Sequence, residues 1–218
     1  NDHILPAEGQ LVSAFTQLKS QGVNDLVLDV RYNGGGYLYI ASQIGYMIAG
    51  SARTSGKTFE RLQYSDKRTA DTNDPANDTA FYNVASVIAN TRTTENAPLP
   101  ILNLGRVYVL ASPGTCSASE AVVNGLRGVG VEVILVGGTT CGKPYGFTAK
   151  DNCGISYFPI EFQGVNQLGF GDYADGFAPT ATCTVADDFS RALGDSSEGM
   201  LAAALNHRTT GSCGGTAT

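Results

Sequence analysis

Two successive strand–turn–helix units constrain the fold of this chain more than any other feature of its sequence. Each unit begins with a short apolar strand, breaks at a turn rich in Gly, Ser or Pro, and continues with apolar residues at helical spacing. The strands are DLVLDV (25–30), RVYVLAS (106–112) and, after the second helix, VEVILVG (131–137), and the helices begin at Tyr37 and Ser117. Strands connected through helices pair in parallel, so the pattern predicts an α/β core.

Other segments extend this core within a chain of 218 residues, a length that suits one domain spanning 1–218. The stretch 51–100 is rich in Thr, Asn, Asp, Arg and Lys and has only short apolar runs, which predicts a surface insertion or lid within that domain. The remaining predicted elements are a helix over 11–22, a strand at 59–64, a helix at 81–89, hairpin strands in 155–162 and a last helix at 196–208.

The charge balance excludes some classes of partner. The net charge is −6, and no basic stripe is present in the sequence. Binding to nucleic-acid phosphates depends on clustered Lys and Arg, so no nucleic-acid partner is expected. No apolar run reaches the roughly 18–20 residues that cross a bilayer, so no membrane span is expected in this chain.

Five cysteines favour an oxidising compartment. They form no C-x-x-C pair, so the usual zinc spacing is absent and no metal site is predicted. Cys141 could bridge to Cys153 across a predicted hairpin, and Cys183 could bridge to Cys213, which would leave one thiol over. With low Lys and frequent Thr, Asn and Gly, these cysteines predict an exported protein of bacterial type, either periplasmic or secreted and on the cell surface.

The turn PGTCSASEAVVNGL (113–126) carries the first candidate for chemistry. Its residues Ser117 to Glu120 match the capping box S-x-x-E, which can simply begin a helix. A serine at a helix N-terminus can also act as a nucleophile, because the helix dipole favours an alkoxide and free N–H groups can bind a developing oxyanion. The four residues alone leave both interpretations of Ser117 open.

A nucleophilic serine needs a base, and the sequence offers two. Lys143 follows the third strand between a Gly and a Pro, a position from which a lysine can enter a dry cleft where burial favours its neutral form. The alternative is that Lys143 is an ordinary solvated charge. Of the two histidines, His207 belongs to the predicted last helix, so a Ser-His pair would depend on His3 near the start of the chain.

Three segments in series resemble peptidase family S41, the tail-specific or C-terminal processing proteases. They are LVLDVRYNGGG (26–36), VYVLASPGTCSASEAVVNGL (107–126) and VILVGGTTCGKPYGF (133–147). The later segment DGFAPTATCTVADDFSRALGDSSEGMLAAAL (175–205) is similar to the family's closing segment. The resemblance covers most of residues 11–205 and is weakest over 51–100.

The resemblance implies a crotonase/ClpP-like α/β core with a mixed sheet and flanking helices. It also implies a serine endopeptidase that acts on polypeptides without a metal or other cofactor. Matched residue by residue, the nucleophile is Ser117 and the general base is Lys143. The oxyanion hole would use the backbone N–H of Ala118 and that of Gly35 or Gly36.

The chain departs from the family pattern at two positions that bear on the base. Many relatives have a Gln four residues after the lysine, where this chain has Phe147, and others have an Asp eleven residues after the serine, where it has Gly128. No PDZ-like segment is visible in the sequence. The group that orients the base is therefore unassigned. Tricorn-type relatives use a His from the start of the domain, which keeps His3 as an alternative base.

Two other functions share this fold. Retinoid-binding relatives hold a hydrophobic ligand without proteolysis, and the missing Gln and Asp favour such a binding module. A crotonase-type acyl-CoA enzyme would need a nucleotide site that this acidic chain does not obviously offer. Because Ser117 and Lys143 are both retained, the sequence favours the peptidase.

Overall fold

The computed structural model describes residues 2–85 and 97–214, in which helices and short strands alternate. The α-helices are α1 (Leu5–Ser20), α2 (Leu38–Ala49), α3 (Ser51–Thr54), α4 (Thr69–Thr72), α5 (Ala118–Gly128) and α6 (Gly199–Thr210). The strands are β1 (Val27–Asp29), β2 (Thr58–Tyr64), β3 (Asp78–Ala80), β4 (Arg106–Ala111), β5 (Glu132–Gly137), β6 (Tyr145–Gly146), β7 (Lys150–Asn152), β8 (Ile155–Tyr157) and β9 (Phe162–Val165). Short 3-10 turns occupy Asp66–Arg68 and Pro75–Asn77.

The centre of the fold is a parallel sheet in the order β1–β4–β5. Alternate side chains of β4 point to its two faces: Val107 and Val109 join the larger core with α2 and α5, whereas Tyr108 and Leu110 join a second core with α6. Because both faces of the sheet are covered, β4 and β5 are apolar after the charged residue that begins each of them, Arg106 and Glu132. The predicted α/β class with flanking helices is confirmed.

An antiparallel sheet in the order β3–β2–β9–β6 lies beside this core. Phe59 on β2 packs closely on two helices, since a Cβ on Gly125 of α5 would collide with its ring and one on Gly45 of α2 would lie 3.3 Å from it. The ring also meets Phe81 edge to face, with centroids 5.2 Å apart. This packing brings β2 against α5, the helix that begins directly after Ser117.

Several predicted boundaries shift in the structure. Helix α1 begins at Leu5, because Pro6 is tolerated in its first turn. Helix α6 begins at Gly199, where the Glu198 carboxylate caps the first free N–H groups. Of the helix predicted at 81–89, residues 81–85 are not helical and Val84 bridges to Pro98, while the rest lies outside the described residues.

The stretch 51–100 contributes β2 and β3 to the antiparallel sheet. Its role as an insertion or lid stays a prediction. Within the described ranges, none of the helices combines the length and apolar character needed to cross a membrane.

Candidate active site

Ser117 sits immediately before α5 in a strained backbone conformation. Its φ is 56° and its ψ is −117°, a combination that costs a residue with a side chain on the order of 1–3 kcal/mol. The turn is held against the segment after β1 by three hydrogen bonds. The Thr115 hydroxyl donates to the Val30 carbonyl at 2.8 Å, and both the Cys116 N–H (3.2 Å) and the Ser119 hydroxyl (3.1 Å) donate to the Asn33 carbonyl.

Glu120 connects the Ser117 turn to the segment that precedes Lys143. As the capping box predicts, the Ser117 N–H donates to the Glu120 carboxylate at 3.0 Å. The same carboxylate, which is fully buried, also accepts the Thr140 hydroxyl at 2.5 Å and the N–H groups of Gly142 and Lys143 at 2.8 Å each. The sequence indicates only the local cap, because the other three donors lie 20 or more residues away.

A disulfide makes the same connection covalently. Cys116 is bonded to Cys141, and Cys183 is bonded to Cys213. The pairing of Cys183 with Cys213 is confirmed, whereas that of Cys141 with Cys153 is wrong. Cys153 is an exposed free thiol at the turn between β7 and β8, a hairpin that projects into solvent.

The glycine loop, residues 33–36, lies close to Ser117 and His3, and two of its residues have to be glycine. Gly35 has a φ of 110°, and a Cβ there would lie 2.8 Å from the Ser117 Cβ. Gly36 has a φ of 128°, and a Cβ there would collide with the His3 carbonyl oxygen. Only glycine adopts such conformations readily and leaves this space free.

Some of the backbone N–H groups near Ser117 already donate a hydrogen bond, and others are free to donate one to a ligand. The Gly34 N–H donates to Asp2 at 3.1 Å, and the Gly35 N–H donates to the Asn33 side chain at 3.0 Å. The N–H groups of Gly36 and Ala118 have no acceptor among residues 2–85 and 97–214. Both residues line the same cavity as Ser117, so these two groups are available to a ligand there.

Ser117 and Lys143 lie on the wall of one cavity of about 400 Å³. Lys143 is exposed rather than sheltered, and its ammonium group lies 5.6 Å from the centroid of the Phe147 ring. In the described part of the chain no hydrogen bond joins the Lys143 amine to the Ser117 hydroxyl. The backbone of Lys143 is fixed by Glu120, so its side chain is the part that has room to move.

His3 is buried beside the glycine loop but does not line this cavity. Its backbone N–H donates to the Gly35 carbonyl at 2.7 Å, and its Nδ1 lies 3.2 Å from the same oxygen. Burial lowers the pKa of the imidazole. Its Nε2 is buried and has no hydrogen-bond partner in the described part of the chain, and His3 also lines a second cavity with Leu11, Leu28 and Ile44.

The model of peptidase family S41 matches residues 4–150, which is more than half of the chain. The chain belongs to peptidase family S41. This is a family of proteases, and its recognition from the three motifs is confirmed. Comparison with curated proteins returned no significant match.

Solved structures of S41 members share this fold. A protein of Bacteroides fragilis NCTC 9343 assigned to the S41 proteases is 29% identical with a TM-score of 0.69, and the match covers 92% of this chain and 48% of that one. The photosystem II D1 C-terminal processing protease is 22% identical with a TM-score of 0.54, over 82% of this chain and 39% of that one. The chain therefore spans about half the length of the first of these proteins and less than half the length of the second.

The two departures from the S41 pattern have structural counterparts. A Cβ on Gly128 would lie 2.9 Å from the Asn166 Cβ, so a side chain at this position has no room unless Asn166 moves. Phe147 packs edge to face on Phe158, with ring centroids 5.4 Å apart, and contacts Lys143 through its ring. An aromatic contact thus replaces the amide that many S41 members place beside the lysine.

Asp29 and Arg31, at the end of β1 and just after it, form an ion pair at the base of the glycine loop. Arg31 is buried, and its guanidinium lies 2.7 Å from Asp29, 2.8 Å from Asp187 and 3.0 Å from Glu198. The pairing with Glu198 also ties the start of α6 to the loop. These ion pairs stabilise the segment between β1 and the glycine loop.

Sequence reasoning missed Glu60, a buried carboxylate on the wall of the same cavity. Phe59 and Glu60 are neighbours in β2 and both are buried, because the pairing of β2 with β3 shifts register between Thr58 and Glu60. Such a bulge re-aims a side chain that strict alternation would send to solvent. Burial raises the pKa of Glu60 to about 7.

Removing the Glu120 carboxylate is expected to destabilise the fold. Glu120→Ala leaves four donors without their acceptor, three of them backbone N–H groups, and we expect the free energy of unfolding to fall by about 3 kcal/mol or more. Urea denaturation measures this loss. Glu132→Ala, at an exposed position of β5, is the matched control. Equal stability of the two variants would contradict the role given to Glu120.

Proposed function

We propose that this chain carries the catalytic site of a serine endopeptidase in which Ser117 is the nucleophile and Lys143 is the general base. The observation that carries the proposal is that backbone strain and two unoccupied N–H groups occur together at Ser117. A serine in a strained conformation begins α5, and two unoccupied N–H groups, those of Ala118 and Gly36, line the same cavity. Strain of this kind clusters at functional sites, and a helix cap alone does not require it.

Each group has a defined task in the proposed reaction. The Ser117 Oγ attacks the carbonyl carbon of the scissile peptide bond while its proton passes to the neutral amine of Lys143. The carbonyl electron pair moves to the oxygen, which the N–H groups of Ala118 and Gly36 stabilise. When the intermediate collapses, the C–N bond breaks and the Lys143 ammonium returns its proton to the leaving amine. Water then releases the acyl group by the same steps and restores the serine.

The base reaches the nucleophile by rotation of its side chain in this proposal. Glu120 and the Cys116–Cys141 disulfide fix the backbone on either side, and the lysine side chain now lies against Phe147. Support for this rotation comes from the cavity, since Ser117 and Lys143 both line it. Catalytic hydrogen bonds are often long or absent before substrate binds.

The proposed substrate is a polypeptide in an exported compartment. Export is supported by the two disulfides, because such bonds persist in oxidising environments. Family membership supports proteolysis, while the substrate and the setting in which it is cleaved are part of the proposal.

Covalent labelling tests the proposal directly. A fluorophosphonate should modify Ser117, located by mass spectrometry of the labelled peptide, and the protein should cleave an unfolded protein such as casein. Ser156→Ala, which removes an exposed hydroxyl on the β7–β8 hairpin, should remain labelled and active. If the protein is not labelled and does not cleave casein, the proposal is overturned. The alternative of a module that binds a hydrophobic ligand is then favoured.

A further inference from the structure

The cavity beside Ser117 contains one group that the proposed reaction does not use, the carboxylate of Glu60. Glu60 is 7% exposed and faces the cavity from β2. A Cβ on Gly164 of β9 would collide with this carboxylate, so the side chain lies flat against the neighbouring strand. The bulge in β2 and the glycine in β9 together make room for an acidic group at a buried position.

Nothing in the described ranges satisfies the Glu60 carboxylate. It takes part in no ion pair or hydrogen bond there, and burial by itself raises its pKa to about 7. The negative charges of Glu60 and Glu120 also add to burial in raising the pKa of Tyr173, which lines the same cavity. A buried carboxylate without a partner costs free energy, so its presence is better explained by a ligand than by stability.

The surroundings of Glu60 define the chemistry of that ligand. Glu60 shares this cavity with the apolar side chains of Leu38, Ala121 and Phe162, and the cavity volume of about 400 Å³ lies in the range of ligand sites. Apolar side chains in the same cavity as a buried carboxylate suit a long aliphatic chain that ends in a cation. Lysine and arginine side chains have this form.

We propose that Glu60 is a specificity-determining residue, and that the cavity accepts a Lys or Arg side chain from the residue whose carbonyl Ser117 attacks. This inference rests on the proposed function. Ser117, Ala118 and Glu60 line one cavity, so a basic side chain bound at Glu60 belongs to the residue next to the scissile bond. The substrate class is then polypeptides cleaved after basic residues.

Lys143 is the competing internal partner for Glu60. Its ammonium lies against the Phe147 ring, and no contribution from it lowers the pKa of Glu60. The cation that the carboxylate lacks is therefore expected from outside the chain.

The test compares peptides that differ only in the residue before the scissile bond. The wild-type protein should cleave the Arg and Lys peptides about 100-fold better in kcat/KM than the Leu peptide, since a buried charge pair discriminates strongly. In Glu60→Gln the ratio of Arg to Leu cleavage should fall to near 1. Glu132→Gln makes the same change in net charge at an exposed position and should keep the wild-type ratio.

A second measurement does not depend on any variant. Fragments of casein produced by the wild-type protein should end mainly in Lys or Arg when they are identified by mass spectrometry. Cleavage of casein without this preference, or an unchanged ratio in Glu60→Gln, would overturn the inference and leave the proposed function standing. Absence of all cleavage together with absence of Ser117 labelling would overturn the proposed function, and the inference with it.

Discussion

Ser117→Ala is expected to lower kcat/KM for peptide cleavage by about 10⁴-fold or more, because it removes the attacking oxygen. The free energy of unfolding should fall by only about 1 kcal/mol, since the alanine keeps the Cβ and loses only the oxygen that accepts the Glu120 N–H in the capping box. Steady-state kinetics on a peptide substrate and urea denaturation measure the two effects. Full activity in this variant would show that another residue is the nucleophile.

Ser117→Gly is the informative companion to this variant. It also removes the oxygen, so activity should be lost to the same extent. Its backbone adopts a φ of 56° without strain, and we expect it to be more stable than the alanine variant by about 1 kcal/mol. A glycine variant less stable than the alanine variant would contradict the strain assigned to this turn.

Lys143→Ala is expected to lower kcat/KM by about 10³-fold, because it removes the amine that is proposed to take the proton of the serine hydroxyl. Lys143→Arg should lose activity to a similar extent, since arginine keeps the positive charge and cannot act as a base. Lys150→Ala is the matched control, as Lys150 is exposed on the β7–β8 hairpin. Its activity should equal that of the wild type.

The rival base in this experiment is His3. Its Nε2 is buried and finds no partner among residues 2–85 and 97–214, and its backbone pairs with the glycine loop that touches Ser117. If Lys143→Ala kept full activity and His3→Gln lost it while remaining folded, the base would be His3. Loss in Lys143→Ala with activity retained in His3→Gln would support the lysine.

The core of the fold could be predicted from sequence because its signals are local. Strands β4 and β5 are buried on both faces, so each gives a continuous apolar run, and α5 begins where the capping box predicts. The prediction of a helix at 81–89 was wrong over 81–85, where Val84 instead forms a β-bridge with Pro98. Helical spacing over so short a run cannot exclude an extended segment.

The candidate site was harder to predict because its contacts are distant in the chain. Ser117 could be found from its own neighbours, but the donors that share Glu120 with it come from residues 140–143. The partner of Cys141 proved to be Cys116 rather than the nearer Cys153. Glu60 was missed because a bulge, which has no clear sequence signal in β2, turns it inward.

The Cys116–Cys141 bond has a consequence for how this site can open. It joins the residue before Ser117 to a residue two positions before Lys143, so the backbone segments that carry the proposed nucleophile and the proposed base stay close together. In the proposed reaction a substrate therefore binds to two backbone segments that are already linked, and only the Lys143 side chain has to move. Reduction of the Cys116–Cys141 disulfide would increase the mobility of the segments that carry Ser117 and Lys143.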